Sequence, residues 1–158
     1  MMTGYRGRPD LTAAAEWHSP DGKRFIRTGD IGRFDADGFL TLLDRKKDMI
    51  ISGGFNVYPS DLEARLREHA AVADVAVVGV PSERWGETPV AFVVRRPGID
   101  IDAEALRSWL NASLGKTQRV AELVYVDEFP RNALGKVLKR ELRDTARPGV
   151  DEPSNARA

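Results

Sequence analysis

The 158 residues carry 24 Lys and Arg against 24 Asp and Glu, a formal net charge of zero, with 42% hydrophobic residues. That length suits roughly one domain, or one domain and a fragment of another, and the balanced charge argues against a nucleic-acid or membrane-surface partner held by general electrostatics. The absence of cysteine excludes disulfides, thiolate metal sites and a Cys nucleophile, and the two histidines, His18 and His69, lie far apart without a carboxylate motif, which argues against zinc.

In chain order, residues 1–44 are rich in Gly, Asp and Thr and read as short strands and turns. Within them FDADGFLTLL places Asp37-Gly38 between apolar runs, a hairpin signal. A calcium loop starting at Asp35 is excluded because Lys46 stands at its twelfth position, where a bidentate Glu belongs. From 45 to 145 the pattern becomes a compact mixture of strands and helices. The runs VAVVGV (75–80), VAFVV (90–94) and LVYV (123–126) are rich in β-branched residues and predict three strands. PSDLEARLREH predicts a helix with Leu62 and Leu66 on one face and a capping box formed by Ser60 and Glu63. A second helix is expected over 102–114, with Asp102 as its cap, Leu106, Trp109, Leu110 and Leu114 turned inward, and Gly115 just past its end. Two helices on one face of a three-stranded sheet make a small α+β domain. The tail 146–158, ARPGVDEPSNARA, has no apolar period and reads as disordered. No apolar run approaches a membrane span and the first residues lack a signal-peptide core, so the expectation is a soluble, cytoplasmic chain.

PRNALGK (130–136) superficially resembles a phosphate-binding loop, but Pro130 stands where that motif needs Gly, and Val137 where it needs Ser or Thr. Taken alone, Lys136 reads as a solvated surface lysine, as do Lys139 and Arg140 after it. By the same local reading Asp30 is a turn-stabilising Asp, Arg45 a surface charge, Gly53-Gly54 a turn between strands, and Trp85 a cover for the core edge.

The order of pieces changes that reading. RTGD (27–30), DRKKDMIISGGFNVYP (44–59), RWGE (84–87) and PRNALGK (130–136) occur with spacings that closely resemble the C-terminal third of the adenylate-forming acyl-CoA synthetases. The resemblance runs from MTGYRGRP at Met2 to about Arg143. It implies the end of a large N-terminal adenylation domain over 1–44 and a mobile C-terminal lid over 45–145: a three-stranded sheet with packed helices and a two-stranded ribbon. In the complete enzyme it further implies ATP with Mg2+ and coenzyme A, a fatty or aromatic acid as substrate, and the missing large domain as partner. Nothing is expected to bind tightly to this chain alone, which would be inactive.

Residue by residue, the resemblance makes Lys136 the catalytic cation, carried on a loop tip that Gly135 leaves open to close approach. Asp30 would accept hydrogen bonds from the ribose hydroxyls, and Arg45 would reach ribose or phosphate. Lys47 would be the hinge. Gly53 and Gly54 would line the tunnel for the pantetheine arm, while Trp85, as an exposed indole, and Arg119 would meet the coenzyme A nucleotide. KTQRVAE (116–122) departs from the family's KxxxP(R/K) pattern: proline is missing and Thr117 occupies a place often aromatic. A non-catalytic binding module with the same fold is the alternative, and acylation of Lys136 a further possibility, since it would remove the charge.

Overall fold

The computed structural model describes residues 4–146, so the expectation for the tail falls largely outside the described residues. The described chain divides into two compact units, one ending at Lys47 and the other beginning at Asp48.

The first unit opens with a helix that the reading of strands and turns did not anticipate, α1 (Pro9–Ala15). Pro9 occupies its first turn, where no backbone donor is needed, and Asp10 and the alanines favour continuation. Two antiparallel ribbons follow: β1 (Glu16–His18) with β2 (Arg24–Ile26), and β3 (Asp30–Phe34) with β4 (Leu40–Arg45). The Asp37-Gly38 hairpin forms as expected. Asp35 organises it, its Oδ1 accepting from the amides of Asp37 (3.0 Å) and Phe39 (2.8 Å). No described residue of this unit is buried within the chain; Phe34, Phe39 and Leu42 stay 65–71% exposed.

The second unit is α+β. Its five-stranded sheet contains β5 (Ile50–Ser52), β6 (Phe55–Val57), β7 (Val72–Ser82), β8 (Gly86–Arg95) and β9 (Glu122–Tyr125). β8 lies at its centre, antiparallel to β7 along its length and parallel to β9 from Val90 to Val93. The ribbon β5–β6 joins the same sheet at Ser52 opposite Gly86, and the Glu87 carboxylate reinforces that junction by accepting from the Ile51 amide at 2.8 Å. The three expected strands are therefore three of a sheet of five, to which the ribbon contributes the other two.

β7 reads as a nearly continuous apolar run because both of its faces are covered. Val75 and Val77 face the main core with Leu62 and Leu66 of α2 (Pro59–Arg67) and Leu106 and Leu110 of α3 (Ala103–Asn111). Ala76, Val78 and Val80 join Phe92, Phe129 and Leu142 on the opposite face, where α4 (Lys139–Thr145) lies. This second cover was missed, because the basic run that begins α4 resembles a solvated surface.

Two helix ends also differ from expectation. Asp102 caps α3, accepting from the Ala105 amide at 2.8 Å. α2, however, begins at Pro59 with Tyr58 at the cap, so Ser60 lies inside its first turn and not at the cap position that a capping box requires. Glu63 instead turns inward, accepting from the Val77 amide (2.9 Å) and from Lys139 Nζ (2.7 Å), so Lys139 is an ion-paired, half-buried residue and not a solvated one. A proline that fixes the first helical residue sets the register ahead of a serine hydroxyl. Gly115 does not close α3: with φ −65° it precedes a short 3-10 turn, Lys116–Gln118.

Candidate functional site

The Lys136 loop rises from buried footings. Phe129 is 6% exposed in the second-face cluster and Val137 packs against it, so both ends of the excursion are anchored. Arg131 and Val137 form a bridge between the two legs, and the Leu138 amide donates to Pro130 O at 2.8 Å. Between the legs, Asn132 builds the turn: its Oδ1 accepts from the amides of Leu134 (3.0 Å) and Lys136 (2.9 Å), and its carbonyl from Gly135 N–H (2.9 Å). Gly135 has φ +78°, a conformation that a Cβ would strain.

Arg131 completes the loop, donating through Nη1 to Gly135 O (2.7 Å) and through Nη2 to Asp74 Oδ2 (2.6 Å). Leu134 at the tip is 93% exposed. Lys136 is exposed, and its ammonium has no hydrogen-bond or ion-pair partner among the described residues. The loop is thus an ordered platform for a cation free to meet something else.

Gly53, Gly54 and Trp85 come together at the ribbon end of the sheet. The Gly53 amide donates to Trp85 O at 2.8 Å, and a Cβ on Gly53 would lie 2.8 Å from Trp85 Cε3 and 3.3 Å from Thr117 Cγ2. Gly53 also has φ +56°, so close approach and backbone conformation both require glycine there. Gly54 continues the turn with open space where its Cβ would stand. Trp85 is half-buried, not exposed as expected; the Arg84 guanidinium lies 4.8 Å from its ring centroid, and the indole supports the glycine turn.

Arg119 is exposed just after the 3-10 turn that contacts this corner through Thr117. Val120 stands where the family pattern has proline, and the structure uses the difference. Its amide donates to Asn111 Oδ1 at 2.8 Å, while Asn111 Nδ2 donates to Val120 O at 2.9 Å, a buried exchange that proline could not complete.

In the first unit Asp30 and Arg45 face each other across the β3–β4 ribbon, and Arg45 Nε meets Asp30 Oδ1 at 2.9 Å. Two residues singled out separately are therefore one ion pair, with the Asp30 carboxylate three-quarters covered. Lys47 is exposed in the turn after β4 and is the last residue of that unit. Sequence reasoning missed Arg131, Asp74 and Asn132, and gave Glu63 a capping role in place of its pairing with Lys139. Asn132 carried a signal, an Asn before a Gly-containing turn; the Asp74–Arg131 pair, 57 positions apart, carried none.

Among the described residues no three His, Asp or Glu converge to hold a metal, and no helix is long and apolar enough to cross a membrane. Comparison with known proteins gives concordant results. Residues 61–136 match the model of the AMP-binding enzyme C-terminal domain. A 2-succinylbenzoate–CoA ligase of Geobacillus sp. (strain WCH70) is 45% identical over 143 residues, covering 90% of this chain and 28% of the relative. A long-chain-fatty-acid–CoA ligase of Salmonella typhimurium (strain LT2) is 42% identical over 151 residues, covering 96% of this chain and 26% of the relative. The crystal structure of ATP-bound MatB from Rhodopseudomonas palustris superposes with a TM-score of 0.80 at 39% identity, over 90% of this chain and 28% of that one. The chain thus spans little more than a quarter of the length of these proteins.

Proposed function

The chain belongs to the AMP-binding enzyme C-terminal domain family, and from that premise we propose that it is the mobile lid, with the end of the large domain, of an AMP-forming acid–thiol ligase. The observation that carries this reading is the unpaired ammonium of Lys136 on a loop tied down at both ends.

In the first half-reaction a carboxylate oxygen attacks the α-phosphorus of ATP, the bond to the bridging oxygen breaks, and pyrophosphate leaves with that electron pair. An anion approaches a polyanion, and charge moves to the leaving group. A fixed cation brought there by a closing lid stabilises the transition state, an effect of about 3 to 4 kcal/mol for comparable positioned groups. Lys136 does this by electrostatic attraction, with no proton transfer. Asp30 and Arg45 serve the nucleotide's sugar and phosphate, their ion pair keeping the carboxylate oriented.

In the second half-reaction the thiol of coenzyme A attacks the acyl carbon and AMP departs with its phosphate oxygen. The Gly53-Gly54 turn on Trp85 then offers side-chain-free backbone to the pantetheine arm, with Arg119 exposed for a phosphate. Fatty and aromatic acids are the substrate classes proposed, on the relatives at 42% and 45% identity.

The test joins the chain to the large domain of a related ligase and follows the half-reactions separately. Lys136→Ala is expected to slow pyrophosphate release by about 10²–10³-fold and to leave thioester formation from supplied acyl-adenylate intact; the unjoined chain releases none. Undiminished adenylation by Lys136→Ala would overturn the reading. The exposed Phe34, Phe39 and Leu42 favour a second reading, a module that docks on another protein without catalysis. Failure of every joined large domain, with stable binding to a different partner, would select it.

A further inference from the structure

We propose that Arg131 and Asp74 are positioning residues for adenylate formation, a strut from the sheet to the peptide bond that carries Lys136; this rests on the reading of Lys136 given above. The peptide between Gly135 and Lys136 is held from both sides. Its carbonyl accepts from Arg131 Nη1 at 2.7 Å, and its N–H donates to Asn132 Oδ1 at 2.9 Å. With that peptide plane held, and the Lys136 carbonyl accepting from the Asn132 amide at 2.9 Å, the direction in which the Lys136 side chain leaves the backbone is fixed as well.

Asn132 belongs to the loop and would move with it. Arg131 links the loop to something rigid, because its other nitrogen reaches Asp74 Oδ2 at 2.6 Å. Asp74 is itself immobilised at the start of β7, its Oδ1 accepting from the Val75 amide at 2.8 Å. A guanidinium suits this task, since its planar fork serves two acceptors in set directions where an ammonium serves a point. The tip of the loop has no apolar anchor of its own, Leu134 being 93% exposed, so polar restraints decide its order.

The exposure of the pair separates this role from a structural one. Side chains 44% and 36% exposed make an ion pair of small value to overall stability. Removing it therefore disorders the loop and leaves the fold in place. A small displacement of a catalytic group is costly, about a hundredfold in rate for a misplacement of the order of 1 Å.

The experiment uses Arg131→Ala and Asp74→Asn in the 158-residue chain and in the chain joined to a large domain. In the chain, backbone amide relaxation and hydrogen exchange should show increased mobility at Gly135 and Lys136, with Val78 and Val90 unchanged and an unaltered unfolding midpoint. In the joined enzyme, pyrophosphate release should fall by about tenfold to a hundredfold, thioester formation from supplied acyl-adenylate should stay constant, and the double variant should be no worse than Arg131→Ala alone. Equal slowing of both half-reactions, or an unchanged loop and rate, would overturn the proposal. Asp74→Asn keeps the Oδ1 acceptor for Val75, so it reports on the strut even if Arg131→Ala folds poorly. Lys136→Ala run in parallel tells the two failures apart: if it adenylates normally the functional reading falls, whereas if it is inactive while both strut variants are normal, only the strut falls.

Discussion

At the level of single residues, the same side-chain chemistry has two fates within one short stretch. Lys136 stays exposed on its ordered loop, while Lys139 enters a half-buried pair with Glu63. Taken alone both read as solvated surface lysines; position in a motif marked the first, and only packing revealed the second. Tyr125 shows what burial does to a titratable group. Its hydroxyl donates to Ile101 O at 2.9 Å, and desolvation, with smaller contributions from Asp102 and Asp100 against the opposing Arg95, raises its pKa above the usual phenol value of 10.0. Above that value the folded state holds a proton that the unfolded chain has released, so stability present at neutral pH is lost as pH rises through the folded-state pKa. Tyr125→Phe should flatten that alkaline decline in the unfolding free energy, measured by denaturant titration across the range, even if the lost hydrogen bond lowers the whole curve.

Among elements, Glu63 is the point where α2, β7 and α4 meet. Its carboxylate accepts from the Val77 amide and from Lys139 Nζ, joining the helix on one face of the sheet to the helix on the other. Glu63→Ala leaves a backbone donor and a half-buried cation without their acceptor, and should cost about 2 to 3 kcal/mol in urea unfolding. Lys139→Met should cost less, because the carboxylate then retains the Val77 amide. The sequence suggested another use for Glu63, the capping box with Ser60, but Pro59 starts the helix two residues before the start at Asp61 that a Ser60 cap implies. The cap at Asp102 held because no competing start signal precedes it.

For the molecule as a whole, the first unit has no buried residue among those described and leaves Phe34, Phe39 and Leu42 exposed on a ribbon, an apolar surface on which the proposed large domain would pack. In the proposed ligase that ribbon belongs with the large domain, and Lys47, at the end of the unit, is the pivot. A pivot must change its backbone angles between the two half-reactions. Lys47→Pro fixes φ and should therefore leave one half-reaction running while suppressing the other, whereas Lys47→Ala should leave both near normal. Separate assays of pyrophosphate release and thioester formation in the joined enzyme check this; equal rates for the proline variant would remove Lys47 from the hinge.

Local sequence by itself determined the features that depend on neighbours along the chain. These include the Asp37-Gly38 hairpin, the Asp102 cap, the β-branched strands and the order of motifs from RTGD to PRNALGK, which pointed to the family and, through it, to Lys136 as the proposed catalytic cation. Tertiary structure decided which distant groups share a site: Asp74 with Arg131, Glu63 with Lys139, and Gly53 with Trp85 and Thr117. The physical reason is that turn and cap preferences act over a few residues of backbone, whereas a salt bridge or a close glycine contact exists only once the sheet has brought its partners within a few ångströms.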